Sequence, residues 1–521
     1  MQDIIIRGGM IADGTGRKAY PADVCVKDGV ITGIGDYGND KAAAVLDAEG
    51  LIVAPGFIDA HAHSDVSFLK DDSCASKLYQ GITTEITGMC GSSPFPALEE
   101  NLPEDAGKWR FASFKAFLER FRREGRRMAV NQAMLVGHGS LRAGVMGYED
   151  RKPSADELEK MRILLERDLK DGAWGMSLGL EYAPGFFAEN EELADLAGVV
   201  KAYDGFIPCH MRNEGMRIFE AMEELFDVGR KTGAHVHVSH LKIDNFRMHG
   251  KAAEVWKRIE EARKEGVDVT ADMYPFTASC TSLTIRCPRW SLEGGNEALL
   301  KHLRGAKREK VIEGIRNHYF SKERAETCVF IDDGGHWPGI IGKTLAEVSE
   351  EYLHTTDYAY AAAEVLLKTQ AEAECIFFVM SMDDVLYFLS KDTGIGSDGW
   401  ALSGDFKKVN YRPHPRSYAA VSEFMRLSRE KGICTVEEAV RRVTSKAASM
   451  AGITDRGILA EGMAADITVF NPQEIAPRAT YLDPVQLSKG VMHVIVNGRP
   501  ALINGVQTDE RAGIFLRKRR G

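Results

Sequence analysis

The chain of 521 residues lacks the features that mark several classes of protein. No stretch reaches the roughly 18–20 apolar residues that span a bilayer, and the amino terminus carries charges where a secretory signal needs an apolar run. No internal repeat or low-complexity tract is visible, which argues against repeat arrays and disordered chains. We therefore expect a globular, cytoplasmic protein that does not act at a membrane.

The chain also lacks a net positive charge and a regular spacing of its cysteines. The 66 Lys and Arg residues are outnumbered by 76 Asp and Glu residues, and the formal net charge is −10. A broad basic surface for nucleic acid is therefore not expected. The nine cysteines are odd in number and follow no repeating pattern, which favours reduced thiols or a metal ligand over a disulfide framework.

Both ends of the chain have short apolar runs separated by turn residues. Asp28-Gly29 lies between two such runs near the amino terminus, and Asn497-Gly498 near the carboxyl terminus is typical of a type I′ hairpin turn. Chain ends often lie close together in a fold. We therefore expect a small β-sandwich domain built from residues 1–56 and 456–521.

Residues 57–455 alternate between short apolar runs and charged helical segments. This alternation is typical of an α/β fold with parallel strands, and at this length it predicts a TIM-like (β/α)₈ barrel. Helices are predicted at 114–123, 155–169 and 191–201. The strand candidates are 57–60, 84–87, 133–136, 175–178, 206–209, 235–239, 267–271, 376–379 and 395–397. These are nine candidates for eight barrel positions, so one of them lies outside the barrel, and the pattern does not say which.

The segment 281–347 interrupts the alternation with Trp290, the pair Gly294-Gly295 and a basic run at 301–310. Connections between barrel strands and helices are usually a few residues long. We therefore expect an inserted subdomain here, and insertions at the catalytic end of a barrel often act as lids.

The first motif that indicates chemistry is His61-Ala62-His63, directly after the first strand candidate. Residues i and i+2 of a strand point to the same face. Two imidazoles on one face at the end of a barrel strand can bind one divalent metal ion.

Four further polar residues stand at the ends of strand candidates: Cys90, His210, His240 and Asp398. Barrel enzymes place their catalytic side chains at these ends. Imidazoles and a thiolate bind zinc, which lowers the pKa of a bound water to about 7 and polarises a carbonyl. An aspartate beside that water can accept its proton and pass it to a leaving amine. The residues thus predict metal-assisted hydrolysis of an amide or a related C–N bond, with Asp398 as general base and acid.

Motifs over nearly the whole chain resemble those of the amidohydrolase superfamily, and within it the D-aminoacylase (N-acyl-D-amino-acid deacylase) family. The matching segments are His61-Ala62-His63, Thr87-Gly88-Met89-Cys90-Gly91, Gly179-Leu180-Glu181-Tyr182-Ala183-Pro184-Gly185, His210-Met211-Arg212-Asn213-Glu214, Val238-Ser239-His240-Leu241-Lys242, Tyr274-Pro275 and Gly396-Ser397-Asp398-Gly399. Related dihydroorotases and hydantoinases use a carboxylated lysine on the fourth strand. Here residues 174–180 contain no lysine, which favours the deacylase branch.

The resemblance implies a zinc enzyme that hydrolyses N-acyl-D-amino acids to a carboxylate and a D-amino acid. It implies one tight zinc site at Cys90, His210 and His240, and a weaker second position formed by His61, His63 and the same cysteine. The catalytic aspartate of the family falls on Asp398. The preference for the D enantiomer comes from the resemblance alone.

The resemblance further implies that Lys242, Tyr274 and Tyr182 surround the substrate carboxylate. Lys242 follows His240 by two residues and would share its face on a strand. Arg286 and, with weaker support, Arg416 are candidates for a bidentate pair with that carboxylate.

Two alternatives stay open. The protein could hydrolyse another C–N substrate, such as a cyclic amide or a dipeptide with a D residue. It could also be a non-enzymatic scaffold related to hydantoinases, although such proteins have lost metal ligands that are all present here. The side chain and acyl group of the substrate are not readable from the sequence, and a homo-oligomer is left open.

Overall fold

The computed structural model describes residues 1–97, 109–409 and 411–519. Within these ranges no helix combines the length and the apolar character needed to cross a bilayer. Strands and helices alternate through the middle of the chain, and strands dominate both ends.

One nine-stranded sheet combines the two ends of the chain, and we call it the terminal sheet. It joins them by antiparallel pairing of Ile52–Pro55 with Ile467–Phe470. Asn497 and Gly498 have φ of 48° and 76°, which confirms the predicted type I′ character of this hairpin turn, since both central residues need positive φ. Its strands are Gln2–Ile11, Tyr20–Lys27, Val30–Gly35, Ala42–Asp47, Ile52–Pro55, Ile467–Phe470, Val491–Val496, Arg499–Ile503 and Val506–Gln507.

The parallel strands of the middle region pair with one another in chain order. The last of them also contacts the first, because Ala60 N donates to Ile395 O at 3.2 Å and Asp398 N donates to His61 O at 2.8 Å. These strands are Phe57–Asp59, Ile82–Thr87, Asn131–Met134 with Val136–Gly137, Met176–Gly179, Phe206–His210, His235–Val238, Val269–Met273 and Gly394–Ile395.

The carboxyl-terminal strand Phe515–Leu516 does not join the terminal sheet. It pairs in parallel with Asn131–Met134, and the indole nitrogen of Trp174 donates to Leu516 O at 2.9 Å. The last residues of the chain thus pack against the parallel strands.

Helices follow the parallel strands, and the local sequence explains where they begin. Ser154 caps Ala155–Lys170 by a capping box with Glu157, while Met161 and Leu165 bury its apolar face. The other helices of this region are Ala75–Leu78, Phe114–Arg123, His138–Met146, Asn190–Lys201, Ile218–Thr232, Ala252–Lys264, Met382–Leu389, Arg416–Lys431, Val436–Arg442 and Ser445–Ala451.

A separate antiparallel sheet lies between the seventh parallel strand and the last. Glu374–Phe378 is its central strand, with Ala278–Ser282 on one side and Cys328–Asp332 on the other. The strand candidate 376–379 is therefore the one that does not join the parallel strands. The helices of this region are Gly295–Arg304, Arg308–Arg316, Lys322–Glu326, Leu345–Glu347 and Tyr358–Lys368.

A buried lysine connects the first and last parallel strands. Lys77 Nζ lies 2.8 Å from Asp59 Oδ2, 3.1 Å from Glu85 Oε1 and 2.8 Å from Ser397 Oγ. All four residues are fully buried. Ser397 N also donates to Asp59 Oδ1 at 2.7 Å, so this cluster holds the segment before Asp398 against the strand that leads to His61.

Substitution of Lys77 by methionine is expected to lower the free energy of unfolding by about 3–5 kcal/mol, because it leaves two buried carboxyl groups without their cation. Urea denaturation followed by circular dichroism measures the change. The matched control is Lys27→Met at an exposed position of the terminal sheet. Equal unfolding free energies for K77M and K27M would contradict a stabilising role for the cluster.

Candidate metal centre

The five predicted metal ligands and Asp398 come together at the carboxyl ends of the parallel strands. The ligand atoms of His61, His63, Cys90 and Asp398 all lie within 4.8 Å of one another. Those of Cys90, His210 and His240 form a second such group. Cys90 belongs to both groups, so it is the point at which two metal positions would meet.

The Cys90 thiol lies between two imidazoles. Its Sγ is 3.3 Å from His61 Nε2 and 3.3 Å from His240 Nε2. Burial alone would raise the pKa of this thiol, but the charges of His240 and His61 prevail and hold its pKa well below the usual range. The thiolate is the form that binds metal.

Three of these residues have backbone conformations that are uncommon outside glycine. The φ angles of Cys90, His240 and Asp398 are 53°, 36° and 50°. Such conformations cost about 1–3 kcal/mol each and persist where surrounding contacts fix them. Here His240 N donates to Asp272 Oδ1 at 2.8 Å and Asp398 N donates to the His61 carbonyl.

A glycine is also required for Cys90 to reach the site. A Cβ atom on Gly179 would lie 2.0 Å from the Cys90 carbonyl oxygen. Only glycine allows this approach of the fourth parallel strand to the Cys90 loop.

Carboxylates that the sequence analysis did not select contact the histidines from behind. Glu214 Oε1 lies 3.1 Å from His240 Nδ1, and Asp272 Oδ2 lies 3.4 Å from His61 Nδ1. Such carboxylates orient metal-binding imidazoles and fix their tautomers. Asp272 is the penultimate residue of the strand Val269–Met273, and Glu214 follows His210 by four residues. The signals in the sequence were these positions near strand ends and, for Glu214, its place in the segment from His210 that resembles the D-aminoacylase family.

His210 contacts a carboxylate through one ring nitrogen only. Its Nε2 lies 3.0 Å from Glu181 Oε2, whereas its buried Nδ1 has no hydrogen-bond partner in the described chain. An unpartnered buried nitrogen beside a thiolate is suited to a metal ion, and a Cys-His-His donor set is one that zinc prefers. The residues present therefore fit a zinc ion at Cys90, His210 and His240.

Asp398 lies between the histidine pair and an arginine. Its Oδ1 is 3.0 Å from His63 Nε2 and its Oδ2 is 2.8 Å from Arg416 Nη1. Burial alone would raise the pKa of this carboxyl, but Arg416 and His240 hold it well below its usual range. Asp398 is thus an ionised carboxylate at neutral pH, the form that accepts a proton.

A cavity of about 400 Å³ opens onto these residues. Cys90, His210, His240 and Asp398 line it. A site of this volume with converging polar groups is large enough for a small substrate.

Two of the five predicted substrate residues line this cavity, Tyr182 and Arg416. The Tyr182 ring packs edge-on against His210 with centroids 4.6 Å apart. Arg416 is 1% exposed, and its Nε has no hydrogen-bond partner in the described chain.

The other three predicted substrate residues are not among the residues that line this cavity. Lys242 Nζ is 2.5 Å from Glu214 Oε2 and 2.8 Å from His240 Nδ1. Tyr274 is buried under the Arg416 guanidinium, which lies 5.0 Å from its ring centroid. Arg286 Nη2 lies 3.8 Å from Asp244 Oδ2. Contact of these three residues with substrate stays a prediction.

Removal of the shared thiolate tests the metal centre. Cys90→Ala is expected to weaken zinc binding by more than about 100-fold, since loss of a direct ligand exceeds the 10–100-fold typical of an outer contact. Zinc content after dialysis, measured by mass spectrometry, reports the loss. Cys434→Ala removes a thiol outside both ligand groups and is the control. Equal zinc content in C90A and C434A would exclude Cys90 as a ligand.

Comparison with known proteins gives full-length matches. A model of the amidohydrolase family matches residues 44–303 and 397–502. A D-aminoacylase from Alcaligenes xylosoxydans xylosoxydans is 32% identical over 99% of this chain and 97% of its own. An N-acyl-D-glutamate deacylase from the same organism is 34% identical over 99% of this chain and 96% of its own.

A solved structure agrees with these relatives. The N-acyl-D-glutamate deacylase of Bordetella bronchiseptica, complexed with zinc and a phosphonate inhibitor that mimics the tetrahedral intermediate, matches with a TM-score of 0.84. It is 33% identical, and the match covers 99% of both chains. The chain therefore belongs to the amidohydrolase family and, within it, to the group of D-aminoacylases and N-acyl-D-amino-acid deacylases.

Proposed function

We propose that the protein hydrolyses the amide bond of N-acyl-D-amino acids and releases a carboxylate and a D-amino acid. The observation that carries this proposal is the Cys90 thiolate in contact with His61 and His240, beside the ionised Asp398. The D-aminoacylase and the N-acyl-D-glutamate deacylase that match this chain over nearly its full length support it.

Zinc is the metal that these residues fit best, in a tight position at Cys90, His210 and His240, with a weaker second position at His61, His63 and Cys90. When bound, zinc supplies a Lewis acid that polarises the amide carbonyl and lowers the pKa of water. Glu214 and Asp272 hold the imidazoles of His240 and His61 in the orientation that binding requires.

Asp398 acts as general base and then as general acid. Its carboxylate faces the cavity while Arg416 and His63 fix both oxygens. It accepts a proton from the attacking water and gives it to the amine nitrogen when the C–N bond breaks. Protonation of the nitrogen by this carboxyl group lets it leave as a neutral amine rather than as a high-energy amide anion.

Tyr182 and Arg416 are placed to hold the carboxylate of the D-amino acid, because both line the cavity at the metal centre. The unpartnered Nε of Arg416 provides a donor for this purpose. Lys242 supports Glu214, and Tyr274 supports Arg416 from below. Arg286 stays a predicted partner of the substrate carboxylate.

We also propose that the eight parallel strands close into a barrel, supported by the backbone bonds between its first and last strands. The terminal sheet then forms the small β domain predicted for 1–56 and 456–521, except that Phe515–Leu516 lies outside it and pairs with Asn131–Met134. The segment 281–347 contributes to a lid, since Cys328–Asp332 and Glu374–Phe378 pair in the antiparallel sheet that borders the cavity through Glu374.

The substrate class is tested with the zinc-loaded protein and paired N-acetyl-D- and N-acetyl-L-amino acids. Turnover of the D compounds with kcat/KM at least about 100-fold above the L compounds is expected, since a fixed carboxylate and amide leave only one enantiomer correctly placed. Hydantoin and a dipeptide with a carboxyl-terminal D residue serve as competing substrates. Equal rates on both enantiomers, or faster turnover of hydantoin, would overturn the proposal.

Asp398→Asn is expected to lower kcat by about 10²–10⁴-fold, because the amide cannot accept the proton of the attacking water. Zinc content should stay unchanged, which separates this effect from loss of metal. Asp509→Asn, at an exposed position, is the matched control. Near-normal turnover by D398N would contradict the role of Asp398.

A further inference from the structure

A second cavity adjoins the one at the metal centre. Its volume is about 290 Å³, and His63, Glu374 and Trp400 line both cavities. The Trp400 ring lies beside His63 with centroids 6.2 Å apart. A substrate held at His63 can therefore extend past Trp400 into the second cavity.

The walls of the second cavity are mostly apolar. Ile331 and Val409 are 1% and 3% exposed, and Leu402 and Tyr411 pack with Val409 in one hydrophobic cluster. Apolar walls of this kind favour a group without charge, since a charge would lose its hydration there.

Charged residues lie around this apolar part. Lys70, Asp71, Asp332, Glu374 and Lys408 also line the cavity. Lys408 Nζ pairs with Asp71 Oδ2 at 3.3 Å. Burial, together with Asp332 as its strand partner, raises the pKa of Glu374 to about 8. The carboxyl group between the two cavities is therefore mostly neutral at pH 7.

The carboxylate-binding candidates determine which end of the substrate faces the second cavity. Tyr182 and Arg416 line the first cavity but not the second. The acyl carbonyl must lie at the metal centre, where His63 lines both cavities, so we infer that the acyl group extends from there towards Trp400.

We propose that the second cavity is a subsite for an apolar acyl chain of up to about eight carbons, because its volume of about 290 Å³ has room for roughly ten groups of about 30 Å³ each, the share of a water molecule in the liquid. The protein then prefers D-amino acids that carry an acyl chain between butanoyl and octanoyl in length over the N-acetyl compounds. This inference rests on the proposed deacylase function.

Leu402 is one of the apolar residues that line this subsite. Its backbone nitrogen is held by Ser76 Oγ at 2.9 Å, while its side chain lines the cavity. Leu402→Trp fills the space that a long acyl chain would occupy, and Leu402→Phe fills it in part. Val506→Trp, at a 67% exposed position of the terminal sheet, is the control for an added indole.

The experiment measures kcat/KM of the zinc-loaded protein for the N-acetyl, N-butanoyl, N-hexanoyl and N-octanoyl derivatives of one D-amino acid. An increase of about two- to fourfold per buried methylene is expected, through KM rather than kcat. The ratio of N-hexanoyl to N-acetyl kcat/KM should fall at least about tenfold in L402W and less in L402F, and stay unchanged in V506W.

Octanoate and acetate binding to the zinc-loaded proteins, measured by calorimetry, gives a second readout. Octanoate should bind more tightly than acetate to the wild-type protein, lose this advantage in L402W and lose part of it in L402F. If the protein turns over the N-acetyl compounds but kcat/KM stays constant or falls as the acyl chain becomes longer, the subsite is overturned and the deacylase function is left intact. No turnover of any N-acyl-D-amino acid would overturn both.

Discussion

The contact of one thiolate with two imidazoles is the interaction on which the site depends. Cys90 Sγ lies 3.3 Å from His61 Nε2 and from His240 Nε2, so residues that follow three separate strands meet at one sulfur atom. Burial opposes an ionised thiol, and only the neighbouring histidines make it favourable. A thiolate beside imidazoles is a donor set that a bound metal cation stabilises further.

Hydrogen bonds and ion pairs around the site fix this arrangement, although three of its residues have strained backbone conformations. Cys90, His240 and Asp398 all have positive φ, and backbone bonds to Asp272 and His61 fix the last two. Lys77 then ties the first parallel strand to the segment that carries Asp398 through buried ion pairs. Stability and preorganisation therefore come from the same buried polar network, which is fully effective only when each partner is satisfied.

Strand-end positions could be predicted from the sequence, because short apolar runs followed by His, Cys or Asp define them locally. The spacing of His61 and His63 and the positions of Cys90, His210, His240 and Asp398 led to one site. The run 376–379 could not be distinguished from a barrel strand, since its antiparallel partners are distant in sequence. The side-chain direction of Lys242 was equally unreadable, because His240 leaves the regular strand conformation at φ 36° and Lys242 turns to Glu214.

We expect the two adjoining cavities to determine which substrate the protein accepts. The metal ligands do not determine it, since relatives with different substrates also need metal ligands. The account depends above all on Cys90 as a zinc ligand. X-ray absorption at the zinc K edge of the zinc-loaded protein measures this directly. We predict one sulfur at about 2.3 Å with nitrogen or oxygen ligands at about 2.0–2.1 Å. A shell of nitrogen and oxygen alone would contradict the account.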